Sequence, residues 1–420
     1  MKKNYYLKKF SFFISFIIIL LLCTPLQSAD KFHSFTIKIK NPLHLERNDQ
    51  QVMASVSAIK QRYMDFDENN FRIKSKGKSI PFDLVGDMDK GVNILFQADF
   101  KPDEQKLISF SYSNKTTVGH DKRTHAYLGI KRNYIIKDGV YTGGNFESTN
   151  HVIVPKNHFS HDALYQMEGP AWESDKMAYR FYLDERNRVD IFGKSTPKIV
   201  LDIVGKKDLL SGDESYEYPL WWGQDIFKVG NSLGIGSVAT FLNNKVVTVS
   251  ETDSIICDIF NHNVYSTVRS DHFGWKSGNN KFNIQINYSI FPGSRLTEVI
   301  AKTDKPIENI CTGLAKHDST ETLFSKDNNG WSYVAIWGKQ TICNDHLGIA
   351  LFYNSKDVIK LTEDNVSQIV VLKPTDNTTK YYFAAAWEKE KNGIKSQRDF
   401  HLFLERTIEI LNNPIIVDLL

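Results

Sequence analysis

Apolar and polar residues alternate along much of this chain, which is the pattern of β-strands with one buried face. Before residue 115 the alternation recurs in short segments, at residues 35–40, 71–74, 80–85, 91–100 and 106–112. Lys76-Gly77-Lys78 separates the second segment from the third and predicts the turn of a hairpin. These segments together predict a small antiparallel β-sandwich over residues 34–112.

The strand pattern continues through the rest of the chain, and one late segment is helical. Apolar, β-branched and aromatic residues cluster at residues 245–249, 255–260, 264–269, 282–290, 296–301, 331–337 and 347–353. Between residues 397 and 412, apolar side chains recur at helical spacing, at Phe400, Leu404, Ile408 and Leu411. We therefore expect an all-β fold, a large antiparallel β-sandwich with a small N-terminal β-sandwich and a C-terminal helix.

The first 29 residues have the composition of a secretory signal peptide. Four lysines precede an apolar run from Phe10 to Leu22, and small residues around Ala29 offer a cleavage site. The run is shorter than the ~20 residues that span a bilayer, which disfavours a retained membrane helix. A lipid anchor on Cys23 is the alternative, although Leu22 is bulkier than such a motif usually allows. We expect an exported protein, periplasmic or secreted, without stable membrane insertion after cleavage.

The remaining residues exceed what a single compact core usually holds, so we expect one large domain or two intimate ones. We divide the chain into residues 1–29 as signal peptide, 30–115 as the N-terminal β-sandwich and 116–420 as the main β-sandwich with the functional cleft.

Charge and cysteine content reduce the number of function classes to consider. Without the four lysines of residues 1–29, the chain carries 48 basic and 49 acidic side chains, and no block of Lys or Arg predicts nucleic-acid binding. Cys257, Cys311 and Cys343 remain, which allows at most one internal disulfide. Their spacing lacks the patterns of a zinc site. We therefore predict neither a metal nor a cofactor, and we interpret the cysteines as structural.

Two familiar catalytic motifs do not occur. Gly230-Asn-Ser-Leu-Gly234-Ile-Gly236 lacks the Gly-Lys-Ser/Thr ending of a P-loop and the glycine order of a dinucleotide site, so we interpret it as a tight turn. The sequence also has no Gly-x-Ser-x-Gly elbow. It therefore favours neither a nucleotide-binding protein nor a serine hydrolase.

The densest mixture of charged, aromatic and turn-forming residues lies between His158 and Lys194. Such a mixture suits a polar cleft, where acids and bases lie beside flat apolar faces. His158 and His161 are three residues apart and Asp162 follows, which suits a base with an orienting partner. On a helix the same two rings would share one face and suit a metal. The alternative is that both histidines are ordinary polar residues of a loop.

Several other residues of the middle region are candidates for substrate contacts. Trp172, Trp221 and Trp222 are possible platforms for the C–H faces of sugar rings, with core packing as the alternative. Adjacent tryptophans cannot both point inward from a regular strand, so we expect one of the last two to be exposed or at a cleft edge. Arg180 and Lys228 are either partners of structural acids or a clamp for a substrate carboxylate.

Five segments of the chain resemble a family of exported bacterial proteins long known as a domain of unknown function. They are EGPAWESDKMAYRFYLDERNRVDIFGK (168–194), WWGQDIFKVGNSLGIGS (221–237), GWKSGNNKFNIQINYSIFPGSRLTEV (274–299), GWSYVAIWGKQ (330–340) and NDHLGIALFY (344–353). The resemblance extends from His120 to the C-terminus, and it departs at residues 216–222, where the family has a histidine-containing segment. Such proteins are encoded among genes that degrade uronic-acid polymers such as pectin and ulvan. The resemblance implies the galactose-mutarotase-type β-sandwich of many polysaccharide lyases.

For ulvan systems the resemblance implies an oligosaccharide dehydratase, which eliminates water from a non-reducing-end uronate and leaves a 4,5-unsaturated uronate. A base must take the C5 proton, and we expect His161, oriented by Asp162, or else His158. Arg180 and Lys228 would neutralise the substrate carboxylate as the enolate develops. The expected partner is therefore a uronic-acid-containing oligosaccharide.

The remaining roles complete the predicted site. Tyr179 or Tyr218 would protonate the departing 4-hydroxyl, because hydroxide is a poor leaving group. Trp172, Glu173 and Trp222 would contact the sugar. If a sugar departed instead of water, the same chemistry would make the protein a polysaccharide lyase.

Two other functions stay open. A glycoside hydrolase would use two carboxylates, with Glu168, Glu173, Asp175 and Asp225 as candidates. A sugar-binding protein without catalysis would rely on the tryptophans alone.

Overall fold

The structure, a computed structural model, describes residues 33–87, 91–112, 121–206, 216, 218–326 and 329–420. The predicted signal peptide, residues 1–29, lies outside these ranges. Within them, no helix is long and apolar enough to cross a membrane.

The described residues form two α-helices and 31 strands, with short 3-10 turns at Gln166–Glu168 and Ser355–Asp357. The helices are α1 (Val56–Arg62) and α2 (Gln397–Asn412). The strands are β1 (His33–Lys40), β2 (Arg47–Ser55), β3 (Arg72–Ser75), β4 (Lys78–Ile80), β5 (Phe82–Asp87), β6 (Gly91–Phe100), β7 (Gln105–Tyr112), β8 (Thr124–Tyr127), β9 (Gly129–Arg132), β10 (Ile135–Lys137), β11 (Val140–Thr142), β12 (Asn145–Ser148), β13 (His151–Ile153), β14 (Ala171–Ser174), β15 (Ala178–Phe181), β16 (Val189–Lys194), β17 (Gly223–Asp225), β18 (Ala239–Leu242), β19 (Lys245–Thr248), β20 (Ser254–Asn261), β21 (Ser266–Ser277), β22 (Asn280–Ile290), β23 (Leu296–Thr303), β24 (Ile310–Ala315), β25 (Thr320–Phe324), β26 (Trp331–Lys339), β27 (His346–Asn354), β28 (Val358–Glu363), β29 (Ser367–Leu372), β30 (Thr378–Trp387) and β31 (Ile416–Leu419).

The first strands build a small sandwich of two antiparallel sheets. One sheet has the order β31-β1-β7-β3-β4 and the other has the order β2-β6-β5. Alternate residues of each strand point into a shared apolar core that includes Ile37, Val52, Phe96 and Phe110. The last strand, β31, pairs with β1, so both ends of the described chain belong to this sandwich.

The main body is a larger antiparallel sandwich built on a nine-stranded sheet. Its strand order is β13-β20-β21-β22-β23-β30-β27-β26-β25. Two five-stranded sheets, β17-β16-β15-β14-β8 and β19-β18-β24-β29-β28, share one hydrophobic core with it. The all-β antiparallel sandwich expected from the alternating pattern is therefore confirmed, and we call the sheet of β8 and β14–β17 the cavity sheet.

Polar bridges fix the small sandwich against the main body. Arg123 donates to Asp49 of the small sandwich at 2.5 and 2.9 Å and to Asp175 of the main body at 2.7 and 3.1 Å. Asp83 accepts the backbone N–H of Val264 at 2.7 Å. These contacts cross between the two sandwiches and hold one orientation.

The cysteines of the described residues are free thiols. Cys257 and Cys311 are buried and Cys343 is exposed. Burial raises the pKa of the Cys257 thiol, which keeps it protonated and unreactive.

The predicted C-terminal helix is present over residues 397–412 and covers the outer face of the nine-stranded sheet. Ser396 caps its N-terminus by accepting the N–H of Asp399. Phe400 is fully buried, stacks on Trp337 at 5.2 Å between ring centroids, and lies where a side chain at Gly348 would otherwise project. The helix therefore attaches through one apolar stripe.

We expect Phe400→Ala to destabilise the fold by about 3–5 kcal/mol, because it removes a buried ring and leaves a cavity. Leu402→Ala on the same helix is the matched control, since Leu402 is 56% exposed and should change the free energy of unfolding by less than about 0.5 kcal/mol. Urea unfolding followed by tryptophan fluorescence measures both. Equal losses in the two variants would contradict the packing described for α2.

Candidate functional site

A cavity of about 240 Å³ lies on the side of the cavity sheet that faces away from the main core. Its floor includes Met167, which packs with Ala171, Ala178 and Phe192 of that sheet. The lining residues are Phe146, His158, His161, Asp162, Ala163, Tyr165, Met167, Glu168, Asp184, Gly205 and Tyr216. Most of them come from residues 158–168, so this one loop forms much of the wall.

The wall loop has an unusual backbone. His161, Ala163, Met167 and Glu168 all have left-handed φ angles, of 63°, 63°, 58° and 62°. Non-glycine residues adopt this region at a cost, and clusters of them occur where function requires a fixed geometry. All four residues line the cavity. The strained positions of the loop therefore coincide with the cavity wall.

Buried hydrogen bonds hold this loop in place. The Gln166 amide donates to the carbonyl oxygen of Val204, and its oxygen accepts from the Tyr127 hydroxyl at 3.0 Å. The N–H of Leu183 donates to the Glu168 carbonyl at 3.0 Å. The loop is thus tied to β8 and to the segments that follow β15 and β16.

His158 and Asp162 form a buried pair in the cavity wall. His158 Nδ1 lies 2.7 Å from Asp162 Oδ2, and the two side chains are only 4% and 1% exposed. Asp162 also accepts the backbone N–H groups of Phe159 and Leu164. A carboxylate so placed keeps the proton on Nδ1 and leaves Nε2 as the acceptor. Nε2 is buried and has no hydrogen-bond partner among the described residues.

Tyr165 lies against this histidine. The two rings meet edge to face at 4.9 Å between centroids, and Tyr165 also lines the cavity. Its hydroxyl is buried and has no hydrogen-bond partner within the described ranges. Burial raises the pKa of Tyr165, so the phenol stays protonated and able to donate. A proton acceptor and a proton donor therefore share one wall.

His161, the favoured base in the sequence, has a different partner from the one predicted. Its Nδ1 lies 2.7 Å from Glu168 Oε1, and its side chain is 75% exposed at the cavity. Asp162 instead orients His158. The side chains of His161 and Asp162 diverge because the left-handed conformation of His161 turns the chain between them.

Two arginines lie behind the acids of the cavity. Arg186 binds Asp184 at 2.5 Å and lies 3.2 Å from Glu168 Oε1. Arg180 Nη2 lies 2.6 Å from both Asp190 and Asp225, and its Nη1 donates to the Tyr216 hydroxyl at 3.0 Å.

Arg180 is therefore not available as a clamp for a substrate carboxylate. Its side chain is 5% exposed and its donors are taken by two buried acids and two tyrosines, which we call the Arg180 cluster. Lys228, the other predicted member, is exposed and does not line the cavity. The predicted Arg180–Lys228 clamp is not formed.

Trp172 and Tyr179 lie in the main core, not in the cavity. Successive residues of a strand point to opposite faces, and these two share the inner face of the cavity sheet. Trp172 stacks on Tyr288 at 5.0 Å and donates to Thr297 at 2.8 Å. The Tyr179 hydroxyl donates to the Arg295 carbonyl at 2.6 Å. Neither side chain can reach a substrate, so the predicted roles of Trp172 in sugar binding and of Tyr179 as the acid are wrong.

Glu173 has a structural role. It is fully buried, pairs with the equally buried Lys194, and accepts the N–H groups of Val200 and Leu201 at 2.7 and 2.8 Å. It thereby anchors the segment whose Gly205 lines the cavity. Its predicted contact with substrate is replaced by this positioning role.

The adjacent tryptophans separate as expected, with Trp222 buried against Phe192 and Trp221 61% exposed. The buried member is Trp222, which removes it from the predicted sugar contacts. Tyr218 is exposed and, like Trp221, does not line the cavity. The predicted role of Tyr218 as an acid therefore lacks support from the geometry.

Sequence reasoning missed four lining residues that matter here: Tyr165, Phe146, Asp184 and Tyr216. Tyr165 lies inside the dense stretch from His158 to Lys194, so the crowding of polar and aromatic residues indicated the right segment without singling out this tyrosine. Phe146 lies on a short two-stranded ribbon outside that stretch, and the sequence carries no comparable signal for it.

The chain was also compared with known proteins. A family model described as "Domain of unknown function (DUF4861)" matches residues 39–417. The chain belongs to this family. No curated protein matches it.

Two solved structures from Enterococcus faecalis resemble this DUF4861 protein at low similarity. They are a protein in the glycosyl hydrolase family 38 and an alpha-mannosidase, each 8% identical with a TM-score of 0.43. The match covers 91% of this chain and 47% and 46% of theirs, so the chain spans about half the length of either structure.

In the described part of the DUF4861 chain, no group of three or more His, Cys, Asp or Glu side chains is arranged to hold a metal ion.

The Arg180 cluster should make the stability of the DUF4861 protein depend on pH. Burial raises the pKa of Asp225 from 3.8 to about 7, opposed by the Arg180 charge and assisted by Asp190. The folded state then binds one more proton than the unfolded state between those values. The free energy of unfolding should therefore fall as pH rises from about 4 to 7, by at most about 1.4 kcal/mol per pH unit from this group.

Asp225→Asn should remove this slope, which urea unfolding at a series of pH values would measure against wild type. Asp253→Asn is the matched control, because Asp253 is an exposed partner of Lys281 and should leave the slope unchanged. An unaltered slope in Asp225→Asn would contradict the assignment.

Proposed function

We propose that this protein is an exported carbohydrate-active enzyme that eliminates water from the non-reducing-end uronate of an oligosaccharide. The observation that carries the proposal is His158, whose Nδ1 is held by Asp162 and whose buried Nε2 is unpartnered within the described residues. The resemblance of five segments to proteins of uronic-acid polymer degradation supports this substrate class. The predicted signal peptide supports a reaction in the periplasm or outside the cell.

The reaction begins at C5 of the uronate, next to the carboxylate. His158 Nε2 takes the C5 proton, and the electron pair of the C–H bond forms the C4–C5 double bond. The C4–O bond breaks, and Tyr165 donates its phenolic proton to the departing hydroxyl, which leaves as water. The proton held on His158 then restores Tyr165. The products are water and a 4,5-unsaturated uronate, and no net proton is gained or lost.

The substrate carboxylate needs a positive partner, because negative charge builds on it as the C5 proton leaves. His161 is suited to this role, since it lines the cavity, is mostly exposed, and has Glu168 beside Nδ1. Glu168 Oε1 holds Nδ1 of the ring, which leaves the second ring nitrogen to face the substrate carboxylate. His161 thus takes the place of the Arg180–Lys228 clamp.

The geometry supports elimination over the two-carboxylate hydrolase. Of the four acids considered for hydrolysis, only Glu168 lines the cavity. Glu173 and Asp225 are buried in ion pairs, and Asp175 binds Arg123. Asp184 also lines the cavity but is bound by Arg186 through both oxygens. A free acid and a free base of carboxylate type are not both present among these residues.

The decisive experiment incubates the protein with saturated, uronate-ended ulvan and pectin oligosaccharides. We expect ultraviolet absorbance of the unsaturated product to rise, and mass spectrometry to detect loss of one water without shortening. Shortening with the same absorbance would identify a lyase instead. New reducing ends without absorbance would identify a hydrolase, and binding without turnover would identify a sugar-binding protein.

His158→Ala should lower kcat by about a hundredfold or more, because it removes the base. His151→Ala is a matched control, since His151 also pairs with an aspartate, Asp258 at 2.7 Å, but does not line the cavity. Initial rates from the absorbance assay measure both. Equal activity of the two variants would overturn the assignment of the base.

Tyr165→Phe keeps the ring that packs on His158 and removes only the donor. We expect kcat to fall by about a hundredfold while KM changes little, because the hydroxyl acts on the leaving group. A substrate with a better leaving group at C4 should recover most of the loss. Wild-type kcat in Tyr165→Phe would exclude Tyr165 as the acid.

A further inference from the structure

We propose that Phe146 is the surface on which the pyranose ring of the substrate lies, and that this ring fixes which face of the sugar His158 meets. The inference rests on the proposed function and identifies a residue that determines binding and specificity. Phe146 is half-buried and lines the cavity. It is the only phenylalanine among the described lining residues.

The position of Phe146 is set by a two-stranded ribbon. Strand β12 pairs only with β9 among the described strands, and Phe146 lies directly opposite Lys131 in this pairing. The Lys131 ammonium lies 4.9 Å from the centroid of the Phe146 ring and donates to the Tyr141 carbonyl at 2.8 Å. Lys131 therefore packs on the ring and restrains it.

The same ribbon is attached to the catalytic wall. The N–H of Lys131 donates to the Leu164 carbonyl at 2.8 Å, and Ile130 forms a bridge with Tyr165. The aromatic ring and the proposed acid thus belong to neighbouring, hydrogen-bonded backbone segments. A displacement of Phe146 would therefore also shift the position of Tyr165.

The cavity lining combines an aromatic ring with polar groups. Phe146 supplies an apolar surface, whereas His158, His161 and Glu168 supply polar groups. A pyranose has the same division, with C–H bonds on its ring faces and hydroxyl and carboxylate groups at its edge. Packing of a C–H face on the phenyl ring directs the edge toward the histidines. Phe146 should thus select sugars with an apolar face and position C5 for the base.

The test uses the full chain and a saturated, uronate-ended disaccharide. Phe146→Ala should raise KM about tenfold and also lower kcat about tenfold, because the sugar binds more weakly and presents C5 to His158 in fewer of its bound orientations. Phe146→Tyr, which keeps the aromatic ring, should stay within about threefold of the wild-type KM. Phe324→Ala is the matched control, since Phe324 is an exposed phenylalanine of β25 that does not line the cavity.

Binding is measured separately from turnover, by calorimetry of the same disaccharide in the His158→Ala background. Weaker binding on adding Phe146→Ala, with Phe324→Ala neutral, supports the platform even if wild type proves to have no dehydratase activity. An unchanged Kd and KM in Phe146→Ala overturns the platform while leaving the proposed reaction intact. Absence of both binding and turnover in wild type overturns both proposals.

Discussion

The structure depends on the cavity sheet having two differently buried faces. One face carries Trp172, Tyr179 and Ile191 into the apolar core of the main sandwich. The other carries Arg180 and Lys194, which are almost as deeply buried yet charged. Charges in this position are tolerated only when opposite charges and hydrogen bonds accompany them. Neighbouring strands of the same sheet must therefore place carboxylates on this face, and that requirement shapes the cavity.

Strands β14, β16 and β17 meet the requirement in two places. Glu173 pairs with Lys194 and fixes the segment that leads to Gly205, while Asp190 and Asp225 pair with Arg180. These buried pairs stabilise less than their short distances suggest, because desolvation offsets much of the attraction. Their main effect is on geometry, since removing either partner leaves an uncompensated buried charge. These pairs therefore make the floor of the cavity rigid.

The sequence was sufficient for the fold because the fold follows from local patterns. Alternation over residues 282–290 and 347–353 corresponds to strands β22 and β27, and the helical spacing of Phe400 and Leu404 corresponds to α2. The same alternation, applied residue by residue, assigns Trp172 and Tyr179 to one face and Arg180 to the other. Crowding of functional residue types identified the right stretch of sequence, but it does not indicate to which face of the sheet each side chain points.

The candidate site was less predictable because a non-repetitive loop builds it. Asp162 is adjacent to His161 in sequence but binds His158, four residues before it. The periodicity of the sequence does not predict which histidine Asp162 binds. The pairing depends on left-handed φ angles at His161 and Ala163, where the sequence has no glycine to indicate such a conformation. Such a backbone persists only because anchors such as Gln166 hold it. The strain and the base therefore have a common origin: the conformation that is costly for the loop is the one that buries His158 beside Asp162 and leaves His161 at the cavity for the substrate.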